Sequence, residues 1–147
     1  MDARPELQEL PEWEDGTVAI LATGAGAPHA IPVSTCVRAG PRTVLLALAH
    51  RRESLNRLRN DPRCALAIVA GGFAITAHTR ATILHDLNEA VVAVRLDVEE
   101  IQDHGQPTFA IEAGVQWRWT DEEARERDAE IRAALRALAG TAGIEPV

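Results

Sequence analysis

The chain contains 147 residues and has a formal net charge of −7. This length predicts one domain with a substantial core, and the acidic balance argues against a nucleic-acid-binding surface. No apolar run approaches the roughly 20 residues that a membrane-spanning helix needs. The acidic start, Met1 to Leu10, also lacks the apolar region of a signal peptide. We therefore expect a cytoplasmic protein that binds neither nucleic acid nor membrane.

The chain opens with a Glu-rich stretch, Pro5 to Trp13, which favours a short lead-in helix within residues 1–16. From Thr17 onward the pattern changes to β-branched and apolar runs of strand length, with Gly and Pro turn signals between them. Predicted strands cover residues 17–23, 29–37, 43–48, 64–70, 74–84, 91–99 and 115–119. Closely spaced short strands are typical of antiparallel barrels or sandwiches, not of βαβ units.

Two helices complete the prediction. Residues 51–60 form a short helix after the third strand, and residues 120–139 form a C-terminal helix. Thr120 is the expected N-cap of the second helix, and Glu123 completes a capping box. Its apolar stripe consists of Ile131, Leu135 and Leu138.

Most single motifs carry no chemistry. Gly24-Ala25-Gly26 is followed by Pro28 and a strand, whereas a dinucleotide fingerprint must open a helix. The five histidines show no metal-ligand spacing, so no metal site is expected. Cys36 and Cys64 lie in apolar runs and are expected to be buried free thiols.

One cluster suits an anionic ligand. Arg51, Arg52 and Ser54 lie where the third predicted strand meets the short helix. Guanidinium groups bind phosphate oxygens through bidentate hydrogen bonds, and a serine hydroxyl adds a further donor. A helix N-terminus also favours anions. The alternative is a solvated helix face whose arginines pair with nearby acids. The cluster alone does not decide between the two.

The order and spacing of several segments resemble the pyridoxamine 5'-phosphate oxidase-like family, whose members are flavin-binding split barrels. The similarity covers roughly residues 17–84. The segments that carry it are Leu21-Ala22-Thr23, Ala27 to Ser34 (APHAIPVS), Val44 to Leu48, Arg51 to Ser54, Leu58 to Leu66 (LRNDPRCAL) and Ala77 to Thr82 (AHTRAT). Two positions depart from it: Ser54 stands where many relatives carry lysine, and Arg57 where they often carry asparagine.

This resemblance implies a mainly β, six- to seven-stranded antiparallel split barrel as a single domain, with the lead-in at 1–16, the barrel at 17–119 and the helix at 120–139. It also implies a homodimer with FMN at the interface. By position, the backbone of four residues would face the isoalloxazine ring: Ile31, Pro32, Val33 and Ser34. Ala47 and Leu48 would line the ribityl chain, and Arg51, Arg52 and Ser54 would hold the phosphate.

Three functions remain open at this point. The first is an FMN-dependent oxidoreductase acting on a small-molecule substrate that the sequence does not identify. The second is a reductase that uses a deazaflavin cofactor on the same barrel. The third is a non-enzymatic module that binds haem, another small ligand or nothing. Trp117 and Trp119 share one face of the last predicted strand, either for packing or for stacking on a ligand.

Overall fold

The structure is a computed structural model that describes residues 6–141. This part of the chain contains eight β-strands and two α-helices. In chain order they are β1 (Glu6–Leu7), β2 (Ala19–Thr23), β3 (His29–Val33), β4 (Val37–Gly40), β5 (Thr43–Ala49), α1 (Glu53–Asn60), β6 (Arg63–Ala70), β7 (Phe73–Asp86), β8 (Val91–Asp103) and α2 (Glu122–Ala139).

The strands form one antiparallel sheet in the order β3-β2-β6-β7-β8-β5-β4, and β1 pairs with β8. β3 and β4 stand at opposite ends of this order, yet residues 34–36 alone join them. A connection of that length spans at most about 14 Å between the strand ends. The sheet must therefore curl until its ends meet, which gives the predicted split barrel and confirms the predicted fold class. The short β1 raises the strand count to eight.

Two apolar clusters stabilise the barrel. The inward faces of the strands form the larger one, where Leu21, Leu66 and Leu96 are fully buried. The smaller cluster lies on the outer face of β4 and β5 beneath α2, with Leu135 packed among Val37, Leu45 and Ala93. The predicted apolar stripe of α2 is thus confirmed, because Ile131 and Leu138 pack against the same cluster.

The predicted lead-in helix is wrong over its described residues, 6–13. Glu6 and Leu7 instead pair with Gln102 and Ile101 of β8. The backbone N–H of Leu10 then donates to the carbonyl of Pro41 at 2.7 Å. These contacts with distant parts of the chain satisfy backbone groups that a helix would have used, and they outweigh a weak local propensity.

Two predicted strands also need correction. Residues 29–37 are interrupted at 34–36, where the chain crosses from one end of the sheet to the other. Residues 115–119 form no strand, and the rings of Trp117 and Trp119 do not share a face. They pack edge to face, with centroids 5.0 Å apart.

The C-terminal helix begins two residues later than predicted. Asp121 is its N-cap and makes no side-chain capping bond, so the predicted capping box at Thr120 is wrong. An ion pair contributes further along the helix, where the carboxylate of the buried Asp128 accepts a bond from Arg132 Nε at 2.8 Å.

Candidate functional site at the barrel seam

A cavity of about 200 Å³ lies where the two ends of the sheet meet, and we call it the seam cavity. Three parts of the chain form most of its wall: the end of β3, the 34–36 connection and the end of β5. The residues that line it are Ile31, Pro32, Val33, Ser34, Thr35, Ala47, Leu48, Ala49, Arg52 and Val91.

The cavity exists because the strands on either side of it lack neighbours. Among the described residues, β3 pairs with β2 alone. On the other side, β4 stops pairing with β5 at Leu45, so the following residues of β5 have no strand beside them there. The Thr35 hydroxyl partly replaces a strand, because its Oγ1 accepts a bond from the Ala47 N–H at 3.2 Å. This gap leaves the ends of β3 and β5 available to a ligand.

Arg52 is the one charged residue among those lining the seam cavity. It is exposed and occupies the N-cap position of α1 in an extended conformation, with φ −67° and ψ 134°. The neighbouring Arg51 is also exposed but does not line the cavity. A guanidinium at a helix N-terminus beside this cavity is well placed to bind the anionic end of a ligand.

Ser54 lies in the first turn of α1 and is completely buried. Its Oγ has no hydrogen-bond partner in the described part of the protein, and the same holds for Oγ1 of the buried Thr23 on β2. A buried hydroxyl without a partner is costly, so it marks a position where water or another polar group would be stabilising. Ser54 does not line the seam cavity itself.

Arg57 has a structural role that the sequence did not reveal. Its Nη1 donates to the carbonyls of Ala25 and Ala27 in the turn between β2 and β3. Its Nε donates to the Glu53 carboxylate at 2.6 Å, and His29 Nδ1 lies 3.8 Å from the same carboxylate. The hydrogen bond from Arg57, its charge and then His29 lower the pKa of Glu53. Arg57 is thus engaged in fixing α1 to the 24–28 turn.

The sequence-predicted contacts therefore separate into two groups. All of them line the seam cavity except Arg51, which is exposed nearby, and Ser54, which is buried under α1. Sequence reasoning missed Thr35, Ala49 and Val91. The first two adjoin predicted contacts, whereas Val91 arrives through the pairing of β8 with β5 and has no local signal.

Other candidate groups lie away from the cavity or are inert. Cys36 and Cys64 are buried and free, as predicted. Burial raises the pKa of Cys36 to about 12 and also raises that of Cys64. Within residues 6–141, no three His, Cys, Asp or Glu side chains could together hold a metal ion. Over the same range, no helix is both long and apolar enough to cross a membrane.

Comparison with known proteins supports the fold. No protein-family model matches the sequence, and a search of curated proteins found no significant match. Solved structures do match. A proposed pyridoxamine 5'-phosphate oxidase from Lactobacillus delbrueckii has a TM-score of 0.54 and 16% identity, covering 65% of this chain and 94% of its own. An F420 reductase has a TM-score of 0.53 and 13% identity, covering 63% and 98%.

An FAD-binding protein from Mesorhizobium loti also matches, with a TM-score of 0.50 and 15% identity over 60% of this chain and 87% of its own. At these identities the similarity establishes a shared fold. The class of protein that fold and cavity define is therefore a split barrel with a small, partly apolar cavity at its seam and an arginine at one edge of the cavity.

Proposed function

We propose that the seam cavity binds the flavin cofactor FMN, and that the protein is an FMN-dependent oxidoreductase acting on a small-molecule substrate. The observation that carries this proposal is the convergence of β3, β5 and Arg52 on one cavity. These are the segments at which the sequence resembles flavin-binding split barrels. Matching structures with the same fold include a proposed pyridoxamine 5'-phosphate oxidase and an FAD-binding protein, which adds support.

The residues present offer contacts for the ring, the ribityl chain and the phosphate of such a cofactor. The ends of β3 and β5 lie at a gap in the sheet, where backbone groups of Ile31 to Ser34 would meet the polar edge of the ring. Ala47 and Leu48 would contact the ribityl chain, and Arg52 would bind the phosphate through charge-assisted hydrogen bonds. When bound, the flavin would supply the redox chemistry, while the protein supplies binding, orientation and electrostatics.

The remaining predicted contacts have weaker support. Arg51 is exposed beside Arg52 and could supply a second guanidinium. Ser54 has an unpartnered hydroxyl at the start of α1, but its burial separates it from the cavity. We propose that the phosphate is held mainly by Arg52, with Arg51 second and Ser54 contributing only if the first turn of α1 adjusts.

The small size of the cavity favours a homodimer in which the partner chain completes the site. Its volume of about 200 Å³ is below the roughly 300–1,000 Å³ typical of sites for drug-sized ligands. The outward face of β2, β3 and β6 carries Ile20, Pro32 and Val69, all exposed, and Pro32 also lines the cavity. A homodimer that covers this apolar face would enlarge and complete the site, and its interface would be isologous.

The experiment compares FMN with riboflavin, which lacks the phosphate, in the wild type and in Arg52→Ala. Losing a charge-assisted contact costs about 1.5–3 kcal/mol. Arg52→Ala should therefore lower the affinity for FMN about 10- to 150-fold. Riboflavin binding should hardly change. Arg59→Ala, which removes another exposed guanidinium from α1, is the matched control and should leave both affinities unchanged.

Two results would contradict this proposal. If Arg52→Ala lowers the affinities for FMN and riboflavin equally, then Arg52 shapes the ring pocket or the fold and does not bind phosphate. If the wild-type protein binds neither flavin, then the assignment of FMN is wrong.

The second candidate is a deazaflavin-dependent reductase, and the match to an F420 reductase favours it, since F420 is a deazaflavin. The same cavity and Arg52 would serve both cofactors. The absorbance of the purified protein separates them, because flavins have two near-visible bands and deazaflavins have one. A Soret band or a colourless protein would instead favour a haem-binding or small-ligand module.

A further inference from the structure

A second and larger cavity lies outside the seam. It is an open groove of about 690 Å³ between three stretches of chain: residues 12–18, residues 69–73 where β6 turns into β7, and residues 112–117. Three aromatic rings belong to its wall, those of Trp13, Phe73 and Trp117. We call it the acidic groove, because its charged lining residues all carry carboxylates.

The walls of the acidic groove are fixed by contacts between distant residues. The Gly72 N–H donates to the carbonyl of Ile111 at 2.9 Å. A side chain at Gly114 would overlap the Val69 carbonyl, so the 112–117 stretch passes directly against the end of β6. Trp117 Nε1 donates to the carbonyl of Gly16 at 2.9 Å, which joins two walls of the groove.

Three of the four carboxylates of the groove have no ion-pair partner in the described part of the chain. Of its four acidic residues, Asp15 is paired with Arg132 at 3.2 Å and with Arg136 of α2. Glu12, Glu14 and Glu112 form no ion pair within residues 6–141. No arginine or histidine is among the residues that line the groove, and the whole sequence contains no lysine.

We propose that the acidic groove binds a small organic cation, namely an ammonium group attached to an apolar body. Carboxylates attract such a charge, and the faces of tryptophan rings bind it through cation–π interactions. The volume suits a ligand of this kind. This inference is independent of the proposed cofactor, but Val69 belongs both to the groove wall and to the apolar face that the proposed dimer would cover.

The test uses benzylammonium and benzyl alcohol, which have similar size but differ in charge. Binding is measured by calorimetry and by emission of the tryptophans, two of which line the groove. Benzylammonium should bind about tenfold more tightly than benzyl alcohol, and the difference should shrink as salt is added. Glu112→Gln should lower the affinity for benzylammonium about two- to fivefold. Replacing Glu12 and Glu14 by glutamine as well should abolish the preference for the cation.

Glu130→Gln is the matched control, because it removes the same charge from the exposed side of α2 and should leave the affinity unchanged. Circular dichroism and thermal unfolding of each variant confirm that the fold is retained. The proposal is overturned if benzyl alcohol binds as tightly as benzylammonium, if neither compound binds, or if Glu130→Gln weakens binding as much as Glu112→Gln. It is also overturned if an arginine-rich peptide displaces benzylammonium at a lower concentration than any small amine, which would make the groove a peptide site.

Discussion

Leu135 is the fully buried apolar residue of α2, and Leu135→Ala tests the packing of this helix on the barrel. Its side chain is fully buried against Val37, Leu45 and Ala93. Replacing a buried leucine with alanine typically costs 2–5 kcal/mol, and the cost rises with the cavity that remains. Here the three neighbours belong to strands, so we expect little collapse into the gap. We therefore expect a loss of about 4 kcal/mol in the free energy of unfolding.

Urea denaturation measures this loss directly, and thermal unfolding should show a Tm lower by about 8–16 °C for a domain of this size. Leu138→Ala provides the comparison, because Leu138 is half-buried on the same helix and should lose about half as much. The two variants should keep the same m-value if unfolding remains cooperative. A loss within about 0.5 kcal/mol for Leu135→Ala would refute the packing of α2 on β4 and β5.

Three further predictions concern thiol chemistry, a local anchor and assembly. Because burial raises the pKa of Cys36 to about 12, its thiolate is absent near pH 8, and Cys64 shifts in the same direction. Native protein should therefore react with a thiol reagent far more slowly than protein in urea, and rapid labelling of the native state would contradict this. Arg57→Met removes the guanidinium bonds to the 24–28 turn, so amide exchange there should accelerate; unchanged exchange would exclude Arg57 as its anchor. Light scattering at micromolar concentration should give about twice the chain mass of 15.9 kDa, and a monomer would exclude the dimeric site.

The sequence predicted most of the barrel because its strands obey a local rule. Buried and exposed residues alternate along β2 and along much of β6, which is the signature of a strand with one face in the core. Gly71 and Gly72 lie between the predicted strands at 64–70 and 74–84, and Gly72 has a φ of +95° that favours glycine. In these regions local propensity and tertiary packing require the same conformation.

The errors arose where long-range contacts set the conformation. Residues 29–37 carry a continuous strand signal, and the interruption at 34–36 exists because this stretch must connect the two ends of the sheet. Residues 6–7 became a strand because β8 offers a free edge beyond its pairing with β5. Neither requirement is visible in a local window of sequence, since both depend on which strands become neighbours.

The candidate site shows the same division at the level of single residues. Resemblance placed the ends of β3 and β5 together, and the structure brings them to one cavity. It could not separate Arg51 from Arg52, because adjacent residues differ in direction only once the backbone between β5 and α1 is known. Nor could it show that Arg57 is occupied by carbonyls of the 24–28 turn. Arg52 is therefore the guanidinium that lines the cavity, and the proposed phosphate binding depends mainly on that side chain.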